Sequence, residues 1–218
     1  MSCNKTKAGL NNMKKNALVL PSAILLSLSW VFLFVSCSRL PVFESYGTYD
    51  LIDTANNRIY LLSGSFRASQ IYREPYARHG DRTLYAIPGV DPAEWLSENI
   101  WELGMPALFR EASIEEPTLE NFGTSIIRVK IMGDALDIEI NRITDEQRIA
   151  QIIYDYTHGE SVSPPLANER RLVRFESPQY PRIFYVLEYL VDIDGQRFLF
   201  NRWTGRCVVL TDQSLMIP

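Results

Sequence analysis

The sequence predicts an α+β fold, an antiparallel sheet with a helix packed on one face and an apolar helix ahead of it, and three observations carry that reading. Residues 125–132 and 135–143 alternate apolar and polar positions, and residues 172–175, 183–191, 197–201 and 207–210 read as further short strands, the last two turns marked by glycine. Residues 145–156 carry an apolar stripe at helical spacing, and residues 17–35 form an uncharged apolar run. The two halves of the chain beyond residue 37 also share a strand, capped helix and breaker order, which is compatible with two small similar subdomains.

In chain order, the first element is the apolar run ALVLPSAILLSLSWVFLFV, preceded by Met13-Lys14-Lys15. A core helix this apolar would need burial on every side. A basic, apolar, small-residue order is instead that of a secretory signal, with its lysines kept on the cytoplasmic side. Met13 would serve as a start and give a compact basic region. The run ends at Leu33-Phe34-Val35-Ser36-Cys37-Ser38, which resembles the lipobox of bacterial lipoprotein precursors. The resemblance implies cleavage between Ser36 and Cys37, a diacylglyceryl group on the Cys37 thiol, and an acylated new amino terminus. It places the rest of the chain outside the cytoplasm, held at the cell membrane by lipid. The alternative is an uncleaved single-pass anchor, since the run of 19 residues rises about 28 Å as a helix against a hydrocarbon core of roughly 30 Å.

Charge divides at the same place. Residues 1–36 hold four lysines and no acid, whereas residues 37–218 hold all 26 acids against 17 Arg and Lys130, a balance of −8. On that average, nucleic acid is not an expected partner. With Cys3 removed and Cys37 capped, Cys207 stands alone, so no internal disulfide framework is available; it precedes Val208-Val209-Leu210 and reads as a buried strand residue.

The expected organisation is a signal or anchor over residues 1–36, a tether over 37–47, and α+β subdomains over 48–121 and 122–218. Strands at 49–52 and 58–62 flank Asn56-Asn57 as a hairpin. Residues 64–81 read as a long surface loop. A strand at 83–87 leads to Asp91-Pro92-Ala93-Glu94, which has the grammar of a helix start, so a helix is expected over 91–103 with Leu96, Ile100 and Leu103 as its stripe. Pro106 and Pro117 mark 105–122 as a connection between subdomains. Strands at 125–132 and 135–143 join through Gly133-Asp134. A helix follows over 145–156, with Thr144 and Gln147 as a capping box, Ile149, Ile152, Ile153 and Tyr156 as its apolar face, and Gly159 at its end. Strands at 172–175, 183–191, 197–201 and 207–210 complete the chain, with turns at Asp194-Gly195 and Thr204-Gly205.

No catalytic constellation is legible. His79 and His158 lack metal-ligand spacing, and His158 falls where helix-end carbonyls await a partner, so no metal or cofactor is expected. Asp192-Ile193-Asp194-Gly195 begins like a calcium loop, but strand residues follow at once and a hairpin turn explains it. Ser63-Gly64-Ser65 is not a nucleophile elbow. Glu94, Glu98 and Glu102 recur every four residues, the pattern of a solvated helical face. Tyr72, Arg73, Tyr76 and Arg78 concentrate the two residue types favoured at binding surfaces and are the candidate contact residues. The expected function is therefore non-catalytic binding of a protein, peptide or cell-wall component at the envelope. A hydrolase using paired carboxylates is the alternative.

Overall fold

The computed structural model describes residues 40–98, 107–132 and 137–210. Strands make up 47% of it and helix 8%, so the chain is mostly β and the α+β expectation is corrected. No helix among the described residues is long and apolar enough to cross a membrane. The apolar run at 17–35, with Ser36 and Cys37, lies outside them.

The first sheet is built from β1 (Glu44–Tyr46), β2 (Asp50–Asp53), β3 (Arg58–Leu62), β5 (Pro75–His79), β6 (Arg82–Ala86), β7 (Trp95–Glu98) and β8 (Leu108–Glu111), in the order β1-β2-β3-β8-β7-β6-β5. Its ends nearly meet. Val42 bridges Arg78 of β5, with the Phe43 amide donating to the Arg78 carbonyl at 2.7 Å and the Arg78 amide to the Pro41 carbonyl at 2.9 Å. The sheet is thus a nearly closed barrel, which leaves little open edge to pair with another chain. Its interior is filled by Phe43, Leu51, Tyr60, Ala77, Leu84, Leu96 and Phe109, all buried. Burial pushes the Tyr60 hydroxyl up to about 12, while its proton is donated to the Pro92 carbonyl at 3.0 Å. The β2–β3 hairpin forms as expected. Asp53, itself buried, accepts from the Ala55 and Asn56 amides at 3.2 and 3.3 Å, and Asn57 takes the positive φ of 53° that the turn requires.

Four expectations meet ordered structure in this half. The stretch at 64–81 is not a surface loop, because it contains β4 (Phe66–Ala68) and β5 and buries Phe66, Ala68, Ile71 and Ala77. Residues 95–98 are strand rather than helix. The helix-start grammar is real but closes only one turn: Asp91 accepts from the Ala93 amide through its carboxylate at 2.8 Å and from the Glu94 and Trp95 amides through its carbonyl. Pairing of β7 with both β6 and β8 then takes over. Residues 105–122, read as a connection, carry β8, which pairs with β3 and β7. Within 37–47, the tether expectation meets Phe43 in the barrel core and β1 in the sheet.

The second sheet runs β10 (Asp137–Ile143), β9 (Ile126–Met132), β11 (Ala167–Glu176), β12 (Ile183–Asp192), β13 (Arg197–Phe200), β14 (Cys207–Val209), with β4 added along β12. β4 covers Ile183–Tyr185 and β13 covers Glu188–Val191, so two short strands share one edge of a long one. β4 follows β3 in sequence yet pairs in this sheet, and Phe66 packs with Trp95, Phe122 and Tyr185 at centroid distances of 6.0, 5.4 and 5.0 Å. Trp95, Leu108, Phe175 and Tyr185 consequently belong to one core.

The helix α1 (Glu146–His158) contributes Ile149, Ile152 and Tyr156 to that core. Its cap is Asp145, whose carboxylate accepts from the Arg148 amide at 2.8 Å, not the expected Thr144. Gly159 ends it at φ −63°, and glycine is required there for proximity rather than handedness: a Cβ would lie 2.3 Å from Val208 Cγ1 and 2.5 Å from the Asp155 carbonyl oxygen. Arg206 donates to the carbonyls of Tyr156, Thr157 and Gly159, closing the helix end beside His158, whose Nδ1 lies 3.3 Å from the Tyr154 carbonyl.

Candidate functional site

The stripe of α1 next to its buried face borders a groove of about 510 Å³, within the range of ligand sites. Glu146, Ile149, Ala150, Ile153, Tyr154 and Thr157 recur at three, one, three, one and three residues, so they line it along more than two turns of helix. The opposite wall is the segment that leads into β9, with Glu120, Thr124 and Ser125, and Thr144 closes one end. Gly123 allows that segment to turn, with φ +69°.

The groove has an apolar floor and a polar rim. Ile149 is buried and Ile153 is packed against the core. Above them Tyr154, 57% exposed, stacks on His158 with centroids 4.2 Å apart and planes 16° apart. His158 Nδ1 lies 3.0 Å from Thr157 Oγ1, 3.3 Å from the Tyr154 carbonyl and 3.7 Å from Glu120 Oε1. The imidazole is thereby fixed against the aromatic ring, forming a flat platform at the mouth. Among the described residues, Thr124 Oγ1 is buried without a hydrogen-bond partner.

The expected contact residues lie elsewhere. Tyr72 and Arg73 are exposed in the link between β4 and β5; Tyr76 is half-buried at the irregularity of β5 and packs on the barrel core; Arg78 is exposed, and its backbone closes the barrel. None lines the groove. The signal that would have found it is a second stripe on α1, with an exposed Tyr154 four residues before His158 on the face read as polar.

The other candidates have structural partners. Asp192 Oδ1 accepts from the Asp194 and Gln196 amides at 2.9 and 2.8 Å, which makes the aspartate-glycine motif a hairpin turn. His79 Nε2 sits 2.9 Å from Ser45 Oγ. Cys207 is buried, and burial pushes its thiol up and away from reactivity. Buried Asn201 donates to Ser65 Oγ at 2.9 Å and Tyr185 Oη at 3.0 Å, and its carbonyl oxygen accepts from the Trp203 and Thr204 amides, so it fixes the last turn. No protein-family model matches the chain, and no curated protein or solved structure is significantly similar to it.

Proposed function

We propose that the chain is an extracytoplasmic lipoprotein, acylated at Cys37, whose β-rich domain binds a ligand in the groove along α1 without transforming it. The observation that supports this reading is the groove itself: an apolar floor, a Tyr154–His158 platform, and a rim of hydroxyls and carboxylates from Ser125, Thr144, Glu120 and Glu146. An aromatic platform beside hydrogen-bonding groups suits a ligand with one apolar face and a polar edge. The two rim carboxylates favour hydroxyl or amine groups over anions. Among envelope components, that is the chemistry of an amino-sugar glycan or a short peptide.

Titration of the membrane-purified chain with soluble cell-wall fragments, followed by tyrosine fluorescence, tests the reading. Saturable binding that Tyr154→Ala weakens by about tenfold, the loss of one aromatic contact, is the expected result. Absence of binding, or binding indifferent to Tyr154, would overturn it. The hydrolase alternative draws on the same groove, because Glu120 and Glu146 both line it. Release of reducing ends from the same fragments, abolished by Glu120→Gln or Glu146→Gln, would decide for hydrolysis.

A further inference from the structure

β4 and β13 share one edge of β12 and leave Val186 and Leu187 between the stretches they cover. A cleft of about 90 Å³ opens at that gap, walled by Gly64, Arg67, Glu188, Phe200, Arg202 and Trp203. Glu188 stands directly opposite Phe200, which packs on the cluster of Leu190, Phe198 and Cys207. The cleft therefore lies on the other face of the second sheet from the core shared with α1.

Trp203 is held in place and yet half exposed. Buried Asn201 accepts from the Trp203 and Thr204 amides and donates to Ser65 and Tyr185, which fixes the turn that carries the indole. A Cβ on Gly64 would fall 1.9 Å from Trp203 Cδ2 and 2.1 Å from Cγ, so the ring lies against the bare backbone of residue 64. It remains 53% exposed, with the exposed Tyr49 ring meeting it edge-on at 6.4 Å. A large ring ordered this way without full burial presents a flat contact surface to solvent.

Beside it, two exposed arginines share one buried carboxylate. Glu188 is 4% exposed, with Arg202 Nε 2.7 Å from one oxygen and Arg170 Nη1 3.3 Å from the other. Among the described residues neither guanidinium has another partner. Arg202, which lines the cleft, thus keeps terminal N–H donors, and Glu188 neutralises only one of the two charges. Arg67 is committed to the Gly64 and Phe66 carbonyls and is not counted as a donor. Of the acids on this face, Glu139 and Glu176 are paired with Arg128, Asp192 is taken up by its own hairpin, and Asp137 stands three strands away on β10.

We infer that this cleft is a second binding site, which takes the carboxylate of an acidic sugar on Arg202 while the sugar ring lies on Trp203. The volume admits one functional group rather than a whole drug-sized ligand, so the body of the ligand must rest outside, where the indole is. A guanidinium with spare donors matches a carboxylate and repels a cation. An extended peptide fits poorly, because β12 is paired on both edges and the Val186 amide in the gap already donates to the Ser65 carbonyl. No ladder is left for a peptide strand to join. Arg170 is a positioning residue, which shares Glu188 and so leaves Arg202 its charge.

Calorimetric titration of the full chain with trigalacturonic acid and with its neutral trimethyl ester tests the site. The expected result is saturable binding of the acid, at least about tenfold weaker for the ester, since a charge-assisted hydrogen bond is lost. High salt should weaken the acid and leave the ester unchanged. Arg202→Gln and Trp203→Ala, each checked for an unchanged melting curve, should each weaken the acid by about tenfold. The comparison of acid with ester needs no variant, so it stands even where a substitution disturbs the fold. Equal affinity for acid and ester, no binding of either, or binding indifferent to Arg202 and Trp203 overturns the proposal. Tighter binding of glycerol phosphate than of the uronate overturns the carboxylate assignment. Loss of the uronate on Tyr154→Ala places it in the groove along α1 and overturns the second site while leaving the first standing.

Discussion

The two sheets hold the same number of strands and bury them by different means. In the first, strands of three to five residues curl until Val42 meets Arg78, and the strands and the residue before β1 point Phe43, Leu51, Tyr60, Ala77, Leu84, Leu96 and Phe109 inward. In the second, β11 and β12 extend to ten residues each and stay open, covered on one face by α1 and by side chains from the first half. Closure lets short strands form a core without long ladders, because no face is left uncovered inside. The open sheet's other face buries a second, smaller apolar cluster of Leu190, Phe198 and Cys207.

The strongest way to break this comparison is to empty each core. Phe109→Ala in the barrel and Phe175→Ala in the open sheet should each cost about 3–5 kcal/mol. Because Trp95 and Leu108 of the first sheet share a core with Phe175, both variants should shift one cooperative urea transition. Two separable transitions would show that the barrel folds on its own. Next in size is the join at the end of α1. Arg206→Met removes a guanidinium serving three helix carbonyls and should cost about 2 kcal/mol, a charged hydrogen-bond contribution, read from the same transition. Gly159→Ala should cost about 1–3 kcal/mol, since the methyl group would press on Val208 and on backbone.

A smaller effect separates two caps. Asp145→Ala should cost about 1 kcal/mol of stability, whereas Thr144→Ala should stay within about 0.5 kcal/mol; the reverse order would restore the capping box. The smallest effect concerns pH. Hydrogen bonding from Arg142, then Arg128, holds the Glu139 carboxyl below its ordinary value. Its stabilisation is present above the unfolded pKa and is lost as pH falls through the lower folded one. Glu139→Gln should therefore flatten the acid limb of the stability profile, and an unchanged limb would show the arginine pairing to be inconsequential.

Legibility in the sequence follows the same division. In the open sheet, β9 alternates, with Ile127 and Val129 on the core, and was read from that period, whereas β12 is buried along most of its length and reads as an apolar run. The barrel strand β7 is buried on both faces, with Leu96 inside and Trp95 in the shared core. Its alternation vanishes, and an aspartate-capped turn before it suggested a helix. β4 could not be read as part of the second sheet, because its partner β12 lies more than a hundred residues away and pairing at that distance leaves no local mark. The groove escaped notice because Tyr154 occupies a face of α1 that hydropathy assigns to solvent.

The proposed function depends on where the chain is held, so the mass of the N-terminal fragment of the membrane-purified protein tests the account most directly. A fragment beginning at Cys37 with added acyl mass is the predicted result. An unmodified fragment that still contains residues 17–35 would contradict it and leave Cys37 an ordinary thiol.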